Sequence, residues 1–392
     1  MAEVLVFMQS ITIAFIITGL STGGAEMMLY KLLSHMDKER FNPVVISLSD
    51  KGTLGGQIES LGIQVLTIGM KPGLPTFNGM RRLFRYVYGL KPDILQGWMY
   101  HGNLAAQIAG IFTARGVPVI WNVRQSLYSL KYEKKGTAFV IKAGSYLSRF
   151  PKKIIYNAKT SAEQHEALGY CVDNRLIIPN GFNTNDFSPS VEARNSVRSE
   201  LKISKDAILV GLIGRYHPMK DHSNFFQAAS LLIKRHPQAY FVLAGRQVDF
   251  ANEHLRQIIN DLNISENVRL LGERRDIPRL MAALDIASSS SSHAEGFANV
   301  IGEAMSCGVP CVVTNVGDSA FIVGDIGKVV PPRDPVVLAT AWSELIEMGE
   351  DSRKKLGLKA RQRIIDNFSL EKVVKKYEEL YIEVMSSTNR TN

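Results

Sequence analysis

Short apolar runs alternate with amphipathic segments from one end of this 392-residue chain to the other. That alternation marks βαβ units, because a strand covered on both faces reads as a continuous apolar run while its crossover helix shows one apolar stripe. Strands are expected at 11–17, 42–48, 64–68, 94–96, 117–123 and 153–156, with helices between them. A second series places strands at 208–213, 240–244, 268–271, 286–288, 310–314 and 327–330, and helices at 223–235, 253–262, 277–283, 298–306 and 335–348. Between the two series, Leu176-Ile-Ile-Pro-Asn-Gly-Phe-Asn-Thr-Asn-Asp-Phe-Ser-Pro189 puts Pro, Asn and Gly where no regular element is expected to continue. The chain is too long for one ordinary core. It is therefore read as an α/β domain over 1–182, a second over 183–367, and a closing helix with its tail over 368–392.

Composition narrows the class. An apolar content of 45% and a charged content of 21% describe a globular protein. Three cysteines, Cys171, Cys307 and Cys311, cannot all pair, and the last two sit in an apolar stretch, so a reduced cytoplasmic setting is expected. The triplets at Asn263, Asn367 and Asn389 then match the glycosylation pattern by chance. The apolar N-terminal stretch 4–17 is interrupted by Gln9, Ser10 and Thr12, is shorter than the ~20 residues a span requires, and has no Lys or Arg before it. Net charge is +9, but 71–160 holds fifteen Lys or Arg against Asp93 and Glu133, a local +13 that leaves −4 for the rest. Basic residues interleave there with aromatic ones, as in Met80-Arg-Arg-Leu-Phe-Arg-Tyr-Val-Tyr88. Such a face suits an anionic membrane surface or a diphosphate-bearing acceptor, and places the protein peripherally at the inner face of the membrane. Nucleic acid is not expected, since no helix-turn-helix, RNP or zinc-finger pattern accompanies the charge.

The chemistry concentrates in Glu295-Gly-Phe-Ala-Asn-Val-Ile-Gly-Glu303, where two carboxylates bracket a glycine turn and a helix start. Glycine lets the backbone approach a ligand, N–H groups at the helix start favour a phosphate or polarised hydroxyls, and carboxylates accept from sugar hydroxyls. A nucleotide-sugar has this shape. Upstream, the apolar 209–213 strand runs into Gly214, Arg215 and Lys220, which puts two cations at the carboxyl edge of a sheet. Fixed cations there would stabilise a departing diphosphate. Gly23 and Gly24 follow the first strand and open a helix, and His101 lies just past the strand at 94–96. Gly272 to Ile277, including Arg275, is the expected base-reading segment. The serine run 288–292 falls at a strand end, where small side chains leave room for ligand. No Asp-x-Asp occurs in the chain, so no metal and no other cofactor is expected.

The Glu295 to Glu303 stretch resembles the Glu-x7-Glu motif of the retaining glycosyltransferases of family 4. Gly214-Arg215 with Lys220 is similar to that family's donor-phosphate motif, and Gly23-Gly24-Ala25-Glu26 resembles its N-terminal glycine loop, which faces donor phosphates and acceptor. The resemblance spans nearly the whole chain and is strongest over 208–332. It implies the GT-B fold, two facing Rossmann-like domains with a central cleft, and closing helices at about 351–368 and 370–386 that pack back onto the first domain. It also implies transfer of a hexose or N-acetylhexosamine from UDP to a lipid-linked or growing polysaccharide, as in lipopolysaccharide or capsule assembly. Glu295 would hold sugar hydroxyls, Glu303 the ribose, and the loop Gly296, Phe297, Ala298, Asn299 and Val300 the sugar or phosphate, while Arg215 and Lys220 neutralise the nucleotide. Where many members place a histidine after the fifth strand, this chain has Arg124, which makes His101 and Arg124 joint candidates for orienting donor sugar or acceptor. Two other readings fit two lobes: a nucleotide-sugar epimerase, and a nucleotide-binding oxidoreductase. The second lacks the expected Gly-x-Gly-x-x-Gly.

Overall fold

The computed structural model describes residues 10–71, 76–112 and 116–389, so the first part of the apolar 4–17 stretch lies outside the described residues. The chain divides into two compact units, Met1–Gly181 with Leu370–Asn392, and Phe182–Ser369. Among the described residues no helix is long and apolar enough to cross a membrane.

The first unit is built on β1 (Ile11–Ile17), β2 (Phe41–Ser47), β3 (Gln64–Thr67), β4 (Ile94–Trp98), β5 (Val119–Val123), β6 (Lys153–Tyr156) and β7 (Arg175–Ile177). They form one parallel sheet in the order β3-β2-β1-β4-β5-β6-β7. Its helices are α1 (Gly24–His35), α2 (Gly55–Ser60), α3 (Phe77–Leu90), α4 (Met99–Phe112), α5 (Lys135–Leu147) and α6 (Lys159–Glu166). The period of two along β1 feeds two cores. Ile13, Phe15 and Ile17 join α1, α2 and the closing helix on one face, and Ala14 and Ile16 join α3, α4 and α5 on the other. Trp98 and Trp121 are wholly buried, one in each core. Burial of such large apolar side chains is what offsets the chain entropy of ordering the sheet.

The second unit opens with α7 (Val191–Glu200) and repeats the plan. Its strands are β8 (Ile208–Ile213), β9 (Ala239–Ala244), β10 (Val268–Leu270), β11 (Ile286–Ser289), β12 (Cys311–Thr314) and β13 (Lys328–Val330). The order is β10-β9-β8-β11-β12-β13, again parallel. The helices are α8 (His222–Ile233), α9 (Glu253–Asp261), α10 (Ile277–Ala282), α11 (Asn299–Ser306), α12 (Ser319–Val323), α13 (Pro335–Glu347) and α14 (Glu350–Phe368); α15 (Leu370–Asn389) then returns to the first unit. Asp285 fixes the central pairing. Its Oδ2 accepts from the Leu209 N–H of β8 at 2.8 Å and from the buried Arg198 at 2.5 Å, and its Oδ1 pairs with Arg194 at 2.8 Å. A buried carboxylate with this many donors is satisfied, so β8 and β11 are held side by side at their amino ends.

Two expectations need correction. The segment 176–189, expected to continue no regular element, begins inside β7, because Leu176 and Ile177 extend the ladder of β6 before Pro179 removes a donor. The polar helix α7 just after it was not anticipated. Of the two closing helices, only α15 joins the first unit. α14 stays in the second, where Arg361 donates to the carbonyls of Thr184, Phe187 and Ser306.

Candidate active site

In an open parallel sheet the ligand crevice lies at the carboxyl ends of the strands, where the strand order reverses. In the second unit that point falls between β8 and β11. The loop after β8 carries Gly214, Arg215 and a 3₁₀ turn, Pro218–Lys220; the loop after β11 carries Glu295. The two loops meet across the switch. Lys220 Nζ lies 2.6 Å from Glu295 Oε2, with side chains only 17% and 12% exposed, and Ser291 Oγ donates to the same oxygen at 2.7 Å. Neighbouring hydroxyls hold the loops in register. Ser290 Oγ donates to the Lys220 carbonyl at 2.7 Å, the Ser292 N–H donates to the Met219 carbonyl at 2.8 Å, and Thr314 Oγ1 donates to the Ser291 carbonyl at 2.6 Å. The serines at 288–291, whose small side chains are expected to leave room for ligand, are themselves buried, and Ser288, Ser290 and Ser291 carry side-chain hydrogen bonds.

The rest of the donor-binding segment follows from α11. Gly317, at φ +60°, lies so close to the loop that a Cβ there would sit 2.6 Å from the Gly296 carbonyl oxygen and nearer still to that of Glu295. The Asp318 N–H donates to the Gly296 carbonyl at 2.9 Å, so β12's loop backs the Glu295 turn. Phe297 and Ala298 are buried, with the Phe297 ring stacked on Phe182 at 6.0 Å. Only their backbone groups are available to a ligand. Ala298 is the N-cap of α11 and makes no side-chain cap bond; Asn299 and Val300 form the first turn, half-buried. Glu303 stands one turn further on, half-buried; burial first, and then the Glu303 charge, push the Cys307 thiol up to about 12.

Positive charge gathers on the β8 side. Arg215 is exposed, and His217, which accepts from the Met219 N–H, is lowered by partial burial and then by the charges of Arg215, His293 and Lys220. These four groups share one field. Gly272, at φ +66°, lies just past β10 with its N–H on the Val248 carbonyl, and its carbonyl accepts from the Gly245 N–H; Arg275 is exposed beyond it. Arg274 beside it is structural, gripping Asp276 at 2.7 Å and Glu200 at 2.6 Å. Among the described residues no three His, Cys, Asp or Glu side chains are grouped to hold one metal ion.

The first unit has its own switch point, between β1 and β4. Gly23 and Gly24 follow β1 and His101 follows β4, and the Trp98 indole N–H donates to the Ala25 carbonyl at 2.9 Å to tie the end of β4 to the first turn of α1. Burial lowers His101, which keeps the ring neutral at neutral pH, and burial raises the Glu26 carboxyl. Arg124 is occupied elsewhere. Its guanidinium donates to Tyr377 Oη at 2.8 Å, to Asn122 Oδ1 at 3.3 Å and to Asn180 Oδ1, and lies 5.3 Å over the Trp98 ring. The residue standing where many family members carry a histidine thus clasps α15 to the end of β5.

Comparison with known proteins fits both units. A family model described as Glycosyltransferase Family 4 matches residues 22–186, and one described as Glycosyl transferases group 1 matches residues 207–348. The chain belongs to the family 4 glycosyltransferases. It is 27% identical to an Escherichia coli protein named UDP-Gal:alpha-D-GlcNAc-diphosphoundecaprenol alpha-1,3-galactosyltransferase, over 53% of this chain and 54% of that protein. It is 27% identical to the lipopolysaccharide core biosynthesis glycosyltransferase LpsE of Rhizobium meliloti, over 67% of this chain and 75% of that protein. The chain therefore spans only about half the length of the first of these relatives. The solved structure of Anabaena Alr3699/HepE in complex with UDP superposes with a TM-score of 0.83 at 23% identity, covering 95% of this chain and all of that one. This chain shares that fold. The epimerase and oxidoreductase readings gain no support from these matches.

Proposed function

We propose that the protein is a retaining, metal-independent glycosyltransferase that moves a hexose or N-acetylhexosamine from a UDP-sugar to a lipid-linked or growing polysaccharide acceptor at the cytoplasmic face of a membrane. The observation that carries the reading is the Lys220–Glu295 pair spanning the β8/β11 switch point, with Arg215 beside it. A glycosidic bond to a diphosphate breaks with negative charge growing on the leaving phosphate, and cations fixed before the reaction stabilise that charge without reorganising. Lys220 and Arg215 take that role. Glu295 orients Lys220 through Oε2 and turns its other oxygen to sugar hydroxyls, while Glu303 holds the ribose. With the phosphate oxygen accepting the acceptor's proton on the same face of the sugar, no protein base is required. Gly23, Gly24 and His101, at the first unit's own switch point, are assigned to donor phosphate or acceptor. UDP and an acceptor sugar carried on a diphosphopolyprenol are favoured by the E. coli relative's name, and the three free cysteines accord with a reducing compartment.

A donor-hydrolysis screen across UDP-, GDP- and ADP-sugars tests the nucleotide, with UDP expected to dominate. Lys220→Ala is expected to lower turnover by about a hundredfold or more, and Glu303→Ala to raise the donor KM. Folded variants that kept wild-type kinetics would refute the site. Undiminished turnover in EDTA, and a product anomer matching the donor's by NMR, are expected of a metal-independent retaining enzyme; the opposite results remove those two terms.

A further inference from the structure

The two helical layers of the first unit differ in charge. α1, α2 and α15 on one face of the sheet include Glu26, Glu59, Glu371, Glu378, Glu379 and Glu383, whereas α3, α4 and α5 on the other contain no acid at all. These three pack side by side, α4 between α3 and α5, through one core that includes Leu83, Val87, Ala106, Ala109 and Ile141. What they turn outward therefore lies on one surface.

That surface is patterned. On α3 the exposed residues Phe77, Arg81, Arg85 and Tyr88 recur at helical spacing, and on α5 Lys135, Phe139, Lys142 and Tyr146 do the same. The rings are truly in solvent: Phe77 is 83% exposed, Tyr88 82%, Phe139 64% and Tyr146 71%. Phe112, at the end of α4, is exposed as well, its ring 5.2 Å from Phe84 of α3. A solvated helix face mixes both signs of charge and gains nothing from exposed aromatics. A bilayer carrying anionic headgroups meets both features at one depth, with cations at the phosphates and rings just below them. A soluble polyanion without rings would use the cations and leave the paired aromatic stripes without a role, and no helix-turn-helix, RNP or zinc-finger pattern accompanies them to suit nucleic acid.

We propose that the outward face of α3, α4 and α5 is an interfacial docking surface for an anionic phospholipid bilayer. The proposal deepens, and rests on, the reading that the acceptor is lipid-linked, and it names the elements that would bring the enzyme to that acceptor.

The full chain would be sedimented with phosphatidylcholine vesicles, with and without about a third phosphatidylglycerol. Three proteins are compared: wild type, Lys135→Glu/Lys142→Glu and Phe139→Ser/Tyr146→Ser. UDP-sugar hydrolysis without vesicles serves as the control for folding. Wild type is expected to prefer the anionic vesicles. Each cation removed is expected to weaken partitioning about fivefold, an effect that ~1 M salt abolishes. The aromatic double variant is expected to bind more weakly at every salt concentration. Equal wild-type binding to neutral and anionic vesicles would overturn the proposal. So would an aromatic variant that sediments like wild type, since charge alone would then account for the binding. The vesicle assay contains neither donor nor acceptor, so it is read independently of whether sugar transfer occurs.

Discussion

Gly302 sits inside the Glu295 to Glu303 stretch, on the side of α11 that packs inward, and replacing it by alanine sets two effects of opposite sign against each other. Alanine in place of a helical glycine is intrinsically favourable by about 0.5–1 kcal/mol. A Cβ at 302, however, would lie 2.6 Å from Phe182 Cε1 and closer still to Cζ and Cε2. Ordinary carbon contacts are at about 3.5–4.0 Å, so the overlap is about an ångström or more. The ring has little room to yield. Phe182 is 1% exposed and stacked on Phe297, and its N–H is bound to the Phe368 carbonyl at 2.9 Å. Overpacking of this kind costs roughly 1–3 kcal/mol, so Gly302→Ala is expected to destabilise the second unit by a net 1–2 kcal/mol or so. For a unit of this size that is a fall in Tm of about 2–8 °C, measured by differential scanning calorimetry. Phe297 leads directly back to Glu295, so donor hydrolysis should fall as well, and Gly302→Ala/Phe182→Leu should recover part of both losses. A Tm that rose or stayed level would mean that propensity wins and that the close packing beneath α11 is not real.

Two further outcomes test the surroundings of the site. His165 and His222 are buried and lowered to about 4, chiefly by burial, so between that value and the unfolded value near 6.5 the unfolded chain binds more protons and stability rises with pH. Each is expected to remove about 1.5–2 kcal/mol as pH falls from about 6.5 to 5, seen as a falling urea midpoint; a flat profile over that window would show that these rings are not held neutral. Arg124→Ala removes the clasp on Tyr377 and is expected to speed hydrogen exchange in α15 by about ten- to a hundredfold, with Arg124→Lys failing to restore it because the ammonium lacks the fork; unchanged protection would return Arg124 to the role of a substrate ligand.

How far the sequence carries depends on the range over which each residue finds its partners. β1, β6 and β8 begin and end at the residues expected, because a parallel strand buried on both faces declares itself by its own apolar run. β7 has three residues and α7 is mostly polar, so neither offers enough period to stand out against the Pro and Asn around them. The site divides the same way. Arg215, Lys220, Glu295 and Glu303 were visible because each belongs to a local strand-turn-helix pattern, and placing both loops at a sheet edge needs only that pattern. That Lys220 and Glu295 touch, 75 residues apart, follows only from the strand order that makes β8 and β11 neighbours. Ser290, Ser291 and Gly317 left even less trace, since a hydroxyl that staples one loop and a glycine that admits another have no spacing of their own; five consecutive serines at a strand end were the available hint. Arg124 shows the cost of reading a position by analogy alone. Its place after β5 invites a substrate role, but its partners Asn180 and Tyr377 lie 56 and 253 residues away and spend its donors on holding the chain's last helix. A cation whose hydrogen bonds are already made within the fold must lose them before it can serve a ligand, whereas Arg215, exposed at the rim of the second unit's switch point, gives up nothing comparable.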